Sequence, residues 1–396
     1  MSLGKIIRMF GAYIVVPILS KILLMNKCQV AIIRSERLGH LAKNTHLFFI
    51  RKKMGILENV NYLLIAPSKK SKKVANASLL TMFIEYSKNV KNVHIFCSSI
   101  IYSFINFFLN EFRGFNVIYN LPMESREDEF SLGINTIEFS EQQKKYGESV
   151  LKKMPLTNNK KIVTIFSRDP NYLNNKYPGH DWSYHSYRNA DIETFIDSIK
   201  YLITMNYSVI RLGSKHSKKL NFIDDNYLDY SQSEFKCDFM DLYLIKKSFF
   251  VVGTTSGAID VSGVFNVPLV GVNFAPFVES PTGRDDIFIQ KKIMNMNDQI
   301  VPYKDIISKS KYHLFDGVKF KQLHGLKYVD NSAKDVLDAV KDMNNFLSGN
   351  IILNKKQKKL LDRYHNEYCQ RNNWSRRMAP ISINWLEKNH HLYLED

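Results

Sequence analysis

A run of small and hydroxyl-bearing residues, Gly253-Thr-Thr-Ser-Gly-Ala-Ile-Asp260, stands between an apolar stretch and a helical pattern. Small residues let the backbone approach a ligand closely, and a helix N-terminus presents free N–H groups and a partial positive charge to phosphate. The hydroxyls of Thr254, Thr255 and Ser256 add donors, and Gly257 opens the helix. The run therefore predicts a phosphate cradle. The structural alternative is that Ser256 is only an N-cap and the first glycine only a tight turn.

An arginine stands directly after another apolar stretch. The sequence Ser167-Arg168-Asp169 follows the strand-like run 161–166. At the carboxyl end of a parallel strand, an arginine points into the crevice where α/β sheets bind ligands, and its guanidinium can hold two phosphate oxygens. Arg168 is therefore predicted to contact phosphate. The structural alternative is an ion pair with Asp169 or another loop carboxylate.

A histidine in the first half of the chain has the position of a general base. It ends the segment Arg34-Ser-Glu-Arg-Leu-Gly-His40, which follows the first predicted strand, and Gly39 permits a tight turn from strand to helix. His40 would then lie at the head of the helix, where an imidazole can take the proton of a hydroxyl within about 3 Å. The structural alternative is a histidine that caps or packs, and Asn44 and His46, one turn on, share that alternative.

Several sequence signatures are absent. The chain has no D-x-D triplet, which would hold a metal–diphosphate complex, and no phosphate-binding G-x-x-x-x-G-K-[ST] loop. It also lacks the G-x-G-x-x-G and G-x-S-x-G patterns of dinucleotide-binding proteins and hydrolases. A leaving diphosphate would then be neutralised by basic side chains and a helix N-terminus. The sequence therefore predicts a site with no metal and no cofactor.

Apolar runs that would position these residues alternate with helical patterns. The strand-like runs are 28–34, 60–66, 93–97 and the short 117–119, then 161–166, 208–212 (closed by Gly213), 249–253 and 267–273. Short apolar runs separated by helices indicate parallel βαβ units covered on both faces. The predicted fold is α/β, with two doubly wound Rossmann-like domains facing a central crevice. Residues 28–155 and 156–348 are the predicted domains, and 349–396 are predicted C-terminal helices that pack back on the body.

The N-terminal segment 1–27 is predicted to contain an apolar helix. Residues 9–19 are apolar or small and follow Lys5 and Arg8, but eleven residues are too few to span a bilayer, which needs about 20. Three interpretations stay open: a buried first helix, a helix lying in the membrane interface with basic flanks, and a removed secretory signal.

The composition favours a globular protein with an anionic partner. The 396 residues include 55 Lys+Arg against 38 Asp+Glu, a formal net charge of +17, and 45% are hydrophobic, which excludes a disordered chain. Four scattered cysteines, with no C-x-x-C pair, predict neither a disulfide framework nor a zinc site. The lysine runs are dispersed and belong to no nucleic-acid-binding motif, so no nucleic-acid partner is expected.

The motifs together resemble a family of bacterial surface-polysaccharide (O-antigen and capsule) glycosyltransferases, and more distantly GT-B fucosyltransferase-like enzymes. The resemblance covers roughly residues 30–275 in the right order. It is carried by Arg37-Leu-Gly-His-Leu-Ala42, Ser167-Arg-Asp, Tyr184-His-Ser-Tyr-Arg-Asn, Asp238-Phe-Met-Asp241, Gly253-Thr-Thr-Ser-Gly and Phe265-Asn-Val-Pro268.

The resemblance implies a GT-B fold and assigns the two halves. The N-terminal half would bind the acceptor, with Arg37, Gly39, His40 and Asn44 on that side. The C-terminal half would bind the nucleotide-sugar donor through Arg168, Tyr187, Arg188, Asn189, Gly213, Asp238, Asp241, Thr254, Thr255, Ser256 and Gly257. Arg168 and His40 are the expected catalytic residues, the first for the diphosphate and the second as base.

The expected activity is transfer of a hexosyl or deoxyhexosyl group from a nucleotide-sugar to a lipid-linked saccharide, metal-independent and inverting. The expected location is cytoplasmic, on the inner face of the cytoplasmic membrane. Three alternatives stay open: a nucleotide-sugar epimerase or hydrolase of the same fold, a nucleic-acid- or other anion-binding protein, and a non-catalytic scaffold of polysaccharide assembly.

Overall fold

The computed structural model of the protein describes residues 10–123, 129–130, 132–156, 160–307, 313–350, 353–369 and 379–395. The chain divides into two compact units. Unit 1 consists of Met1–Glu129 and Ile134–Gln142, and unit 2 of Phe130–Gly133 and Gln143–Asp396. Each unit is built on its own parallel sheet, so the predicted α/β class with two Rossmann-like halves is confirmed.

The sheet of unit 1 has three parallel strands in the order β1-β2-β3. They are β1 (Cys28–Ile32), β2 (Asn61–Ala66) and β3 (Val93–Cys97). The pairing places Val30 opposite Leu63. The short strand predicted at 117–119 is a single parallel bridge between Val30 and Ile118.

The helices of unit 1 cover this sheet. They are α1 (Val16–Met25) after a π-helical turn (Gly11–Val15), α2 (Thr45–Lys53) after a π-helical turn (His40–Asn44), α3 (Ala77–Ser87), α4 (Ser99–Phe107) and α5 (Leu109–Gly114). The side chains of Asn76 and Ser98 accept hydrogen bonds from the first turns of α3 and α4, which fixes where these helices begin. Helix α2 is buried from Thr45 to Arg51, so it forms the centre of the unit's core.

The sheet of unit 2 has six parallel strands in the order β6-β5-β4-β7-β8-β9. They are β4 (Lys161–Phe166), β5 (Tyr207–Arg211), β6 (Tyr227–Leu228), β7 (Ser248–Gly253), β8 (Leu269–Phe274) and β9 (Ile287–Gln290). The apolar residues of β7 and β8 are buried almost throughout, as expected for central strands covered on both faces. A two-stranded antiparallel ribbon, which the sequence patterns did not predict, adds β10 (Lys292–Asn295) and β11 (Leu326–Val329).

The helices of unit 2 form two contacting groups. Helix α6 (Glu141–Leu151) begins at the end of unit 1 and continues into unit 2, and the others are α7 (Asn171–Lys176), α8 (Ile196–Thr204), α9 (Asp238–Lys247), α10 (Gly257–Val264), α11 (Tyr303–Ile307), α12 (Gly317–His324), α13 (Ala333–Leu347), α14 (Lys355–Arg363) and α15 (Ile383–Asn389). Helix α8 contacts α13, and α9 contacts α10. Helices α8 and α13 thus form one group, and α9 and α10 form another.

The C-terminal segment is tied to unit 2 by a buried carboxylate. Asp342 of α13 accepts hydrogen bonds from the Ser382 hydroxyl at 2.5 Å and from the backbone N–H of Asn384 at 3.1 Å. Ile381 forms a parallel bridge to Phe288 of β9, and Trp385 is buried. The described part of 349–396 therefore packs on the body of unit 2.

The N-terminal helix is apolar but only partly covered. Gly11, Val16 and Ser20 face the unit, and the ring of Phe108 lies where a Cβ on Gly11 would stand, at 2.3 Å. Large apolar side chains on its other faces are exposed: Phe10, Tyr13, Ile14, Ile18, Leu19, Ile22, Leu24 and Met25. None of the helices in the described ranges is long and apolar enough to cross a bilayer.

Replacing Gly11 by alanine is expected to lower the free energy of unfolding by about 1–3 kcal/mol, because the added methyl would overlap the Phe108 ring. Gly114→Ala is the matched control, since a Cβ at Gly114 has no atom within 4 Å, and it should change stability by less than about 1 kcal/mol. Urea unfolding of the full chain measures both. Equal stability of the two variants would show that α1 does not pack on Phe108.

Candidate functional site

The strand order of unit 2 reverses between β4 and β7. From β4 the chain moves through β5 to β6 on one side, and from β7 through β8 to β9 on the other. Loops that leave neighbouring strands in opposite directions open a crevice at the carboxyl ends of those strands, where α/β sheets bind ligands. The loops after β4 and β7 carry Arg168 and the segment Thr254–Gly257, so the two strongest sequence signals meet at this point.

Arg168 is held by both loops. Its backbone N–H donates to Thr254 Oγ1 at 2.9 Å, which joins the end of β4 to the turn after β7. Its guanidinium Nη1 donates to the carbonyl oxygen of His185 at 3.2 Å and to Asn189 Oδ1. The carboxylate of Asp169, the predicted alternative partner, accepts instead from the backbone N–H groups of Asn171 and Lys218.

The loop between Arg168 and Asn189 is closed at its base. The Ser167 hydroxyl donates to the carbonyl oxygen of Ala190 at 2.6 Å, and the Ala190 N–H donates to the carbonyl oxygen of Arg168 at 3.2 Å. The two ends of this loop are therefore hydrogen-bonded to each other. Asn189, predicted to bind the donor, is placed here to orient the Arg168 guanidinium.

A buried lysine lies beside this arginine. Lys291, at the carboxyl end of β9, is 2% exposed, and its Nζ donates to Asp330 Oδ1 at 2.6 Å and to the carbonyl oxygen of Asn189. Burial lowers the pKa of Lys291; the Asp330 carboxylate opposes this, and the positive charge of Arg168 adds to the lowering. Sequence reasoning missed Lys291. Its one signal was a lysine directly after an apolar strand, Ile287–Gln290.

The turn after β7 presents one hydroxyl that does not cap its helix. Ser256 occupies the N-cap position of α10 without a side-chain capping hydrogen bond, and its Oγ is buried with no partner among the described residues. The Thr254 and Thr255 hydroxyl oxygens accept from the backbone N–H groups of Arg168 and Ala275. The two threonine hydroxyls therefore stabilise the turn. Ser256 Oγ and the first N–H groups of α10 take no part in these two hydrogen bonds.

Other residues predicted to bind the donor also lie in unit 2. Tyr187 is buried against the ring of Tyr328, with the Arg188 guanidinium 5.5 Å from the Tyr187 ring centroid. A Cβ on Gly213 would stand 3.2 Å from Ser231 Cβ, so the chain passes closely there.

The two predicted aspartates both lie in the first turn of α9. Asp241 accepts from Lys236 Nζ at 2.9 Å, and burial raises the pKa of its carboxyl while Lys236 lowers it. Tyr230 accepts from the N–H of Cys237 just before the helix. Asp238 lies in the same first turn of α9. These contacts fix the loop before α9.

The residues predicted for the acceptor side lie in unit 1, where α2 begins. His40 is the first residue of the π-helical turn and is half-buried, as are Arg37 and Gly39. Gly39 has a helical φ of −61°, so its position does not require glycine. Asn44 is 3% exposed and packs inside the unit.

A second histidine of this segment is fully buried. His46 Nδ1 lies 2.7 Å from Thr136 Oγ1. Desolvation lowers the pKa of His46 to about 3, so the ring is neutral in the folded protein. Nearby, Arg51 forms a bidentate ion pair with Glu129, with Nε–Oε1 at 2.5 Å and Nη2–Oε2 at 3.0 Å. His46 is thus a core residue.

In the ranges that the structure describes, no three His, Cys, Asp or Glu side chains are grouped so that they could hold a metal ion. The polar groups at the β4–β7 crevice include the Arg168 guanidinium, the Lys291 ammonium paired with the Asp330 carboxylate, the Ser256 hydroxyl and backbone N–H groups. This set suits an anionic ligand.

No protein-family model and no curated protein matches the chain. Among solved structures it is similar to a glycosyl transferase family 9 protein from Veillonella parvula, at 12% identity and a TM-score of 0.46, over 80% of this chain and 97% of that one. It is also similar to E. coli ADP-heptose LPS heptosyltransferase II, at 13% identity and a TM-score of 0.39, over 66% of this chain and 90% of that one. The Methanocaldococcus jannaschii UDP-GlcNAc 2-epimerase is similar at 12% identity and a TM-score of 0.29, over 87% of this chain and 83% of that one. Likeness at this level assigns neither family nor activity.

The buried neutral His46 predicts a pH dependence of stability. Its pKa is about 3 when folded and 6.5 when unfolded, so its contribution is complete above about pH 6.5 and is lost as the pH falls toward 3. The free energy of unfolding should fall by up to about 1.4 kcal/mol per pH unit in this window relative to His46→Gln. Urea titrations from pH 7 to 4 measure the difference. His94→Gln, an exposed control in unit 1, should keep the wild-type slope, and an equal slope in His46→Gln would contradict the assignment.

Proposed function

We propose that the protein is a GT-B-type glycosyltransferase that moves a sugar from a nucleotide-sugar donor to a hydroxyl of a lipid-linked saccharide in bacterial surface-polysaccharide synthesis. The observation that carries the proposal is the anion-binding arrangement at the β4–β7 reversal of unit 2. There the Arg168 guanidinium and the N-terminus of α10, with Ser256 Oγ, are joined by the hydrogen bond from Arg168 N to Thr254.

This arrangement suits the leaving group of glycosyl transfer. When the bond between the sugar's anomeric carbon and the diphosphate breaks, the diphosphate takes the electron pair and gains negative charge. A guanidinium and helix N–H groups already in position stabilise that charge without reorganisation. Lys291 adds a second positive charge beside Arg168, partly balanced by Asp330. We therefore propose transfer without a metal ion.

We assign the remaining donor contacts to loops at the same edge of the sheet. A nucleoside attached to a diphosphate at β4 would extend over the neighbouring strand β5, which is followed by Gly213, where the chain packs closely on Ser231 and Ser217. Tyr187, Arg188 and Asn189 lie in the loop that follows Arg168, and Asn189 Oδ1 accepts a hydrogen bond from the Arg168 guanidinium.

We assign the acceptor to unit 1 and the general base to His40. The imidazole would take the proton of the acceptor hydroxyl as its oxygen attacks the anomeric carbon, and attack opposite the leaving diphosphate inverts the configuration. In this mechanism, Arg37, Gly39 and Asn44 belong to the segment that positions the imidazole.

We place the protein on the inner face of the cytoplasmic membrane, through unit 1. The exposed apolar side chains of α1 are continued by those of α4, among them Ile100 at 82% and Phe107 at 59% exposure. Phe107 adjoins Phe108, the residue that packs on Gly11, and Val16 of α1 shares a buried cluster with Tyr102 and Ile105 of α4, so α1 and α4 are neighbours in unit 1. The exposed Lys21, Lys27 and the lysines of 69–73 add positive charge to this unit. Apolar helices with basic neighbours bind anionic lipid interfaces.

The donor site predicts a metal-independent thermal shift. At about 100 times its dissociation constant, one of UDP, GDP or ADP, or its sugar, should stabilise the full chain by about 2.7 kcal/mol, equally with and without EDTA. Arg168→Ala should abolish the shift, because the diphosphate loses its guanidinium. Arg284→Ala, whose side chain is 66% exposed elsewhere in unit 2, should keep it. No shift with any nucleotide, or an unchanged shift in Arg168→Ala, would refute the diphosphate site.

Membrane binding is tested with vesicles of phosphatidylglycerol and phosphatidylcholine. Ile18→Glu with Ile22→Glu changes side chains that are 56% and 50% exposed, so folding should be preserved while partitioning falls more than about tenfold. Ile223→Glu, at 99% exposure in unit 2, is the matched control and should bind like the wild type. Flotation on a sucrose gradient measures all three. Undiminished flotation of the double variant would exclude α1 as the membrane contact.

A further inference from the structure

A cluster of aromatic rings lies in the loop between Arg168 and Asn189. Trp182 is at its centre. Its ring centroid lies 5.9 Å from that of Tyr177, 5.8 Å from His180, 6.1 Å from Tyr184 and 6.2 Å from His185. The proposed function above uses none of these rings.

The cluster is at the surface and next to the candidate phosphate site. His180 is exposed, and Tyr177, Trp182 and Tyr184 are partly exposed. The carbonyl oxygen of His185 accepts the hydrogen bond from Arg168 Nη1 at 3.2 Å. A ligand whose phosphates contact Arg168 therefore has this aromatic surface within reach of its neighbouring groups.

The loop that carries the rings is held in place from several directions. Asn171 Nδ2 donates to the carbonyl oxygen of His216 at 3.1 Å, and Asp181 Oδ1 accepts from Ser183 N at 2.8 Å. Gly179 follows Pro178 and has a φ of +86°, as glycine does after proline in a tight turn. A surface ordered before binding loses less conformational entropy when a ligand arrives.

The exposed polar side chains of the same loop indicate the kind of ligand. Asn171, Asn174 and Asn175 of α7 are exposed, and so is Ser183. The Nδ2 groups of Asn171 and Asn175 donate to the carbonyl oxygens of His216 and Asn171, and their amide oxygens are acceptors. An amide carries both donors and an acceptor, as each hydroxyl of a sugar does. An aromatic face, in turn, packs against the C–H face of a pyranose ring, since the face of the ring is apolar and carries partial negative charge. Rings and amides together suit a saccharide better than a flat base.

We propose that Tyr177, Trp182 and Tyr184 form a saccharide-binding surface beside Arg168, on which a pyranose ring stacks. The proposal rests on the proposed function for the class of ligand. Two sources share this chemistry: the sugar of the donor and a sugar of the acceptor.

The experiment is saturation-transfer NMR on the full chain with methyl glycosides of glucose, galactose, mannose, N-acetylglucosamine and rhamnose. The wild type should transfer saturation to the ring C–H protons of at least one glycoside. Trp182→Phe should keep the transfer, and Trp182→Ala should bind about tenfold more weakly because one stacking face is lost. Tyr146→Ala removes a 54% exposed ring elsewhere in unit 2 and should behave as wild type.

Several results would overturn the proposal. The first is that the wild type transfers saturation to none of the glycosides. The second is that Trp182→Ala transfers saturation to the glycosides as the wild type does. The third is that Trp182→Ala loses transfer to the base protons of UDP or GDP but keeps transfer to the glycosides. Competition by a nucleotide-sugar supports the surface and assigns it to the donor sugar, while persistence of the glycoside signal supports it and assigns it to the acceptor. Pyrophosphate binding by wild type and Arg168→Ala tests the diphosphate site separately, so failure of one proposal is distinguishable from failure of the other.

Discussion

The pairing of β4 with β7 in the middle of the six-stranded sheet is the constraint on which the candidate site depends. Because the chain departs in opposite directions from these two strands, their loops part at the carboxyl edge and leave backbone and side chains accessible there. The hydrogen bond from Arg168 N to Thr254 Oγ1 then fixes the distance between the loops. This pairing brings the loops that carry Arg168, Ser256 and the N-terminus of α10, the groups proposed to bind phosphate, to one edge of the sheet.

Two basic side chains and one carboxylate lie close together beside these loops. Asn189 orients the Arg168 guanidinium through its side chain and holds the Lys291 ammonium through its carbonyl oxygen. Asp330 stabilises the buried lysine and also accepts from the N–H of Asp191, which ties the start of the next segment to the same carboxylate. The Arg168 guanidinium, the Lys291 ammonium and the Asp330 carboxylate are therefore linked through Asn189.

Much of the fold and part of the candidate site could be predicted from the sequence, because both depend on local pattern. The central strands are short apolar runs, and the segment Thr254–Gly257 and Arg168 each follow one of them directly. Lys291 also follows a strand directly, but its contact with Asn189, 102 residues earlier in the chain, could not be predicted from that local pattern. The bracing role of Thr255 likewise depends on an N–H twenty residues later. The burial of His46 followed from the packing of α2 on every side, which a helical period alone does not reveal.

The closed base of the loop between Arg168 and Asn189 has an evolutionary consequence. Since the hydrogen bonds between Ser167, Arg168 and Ala190 hold the two ends together, the residues between them can change in number and kind without displacing the sheet. Selection can then act on what this loop recognises while the arginine at its base stays in register. Proteins descended from one ancestor with this fold could come to bind different ligands by changing this loop alone, while the sheet and the rest of the site stay the same.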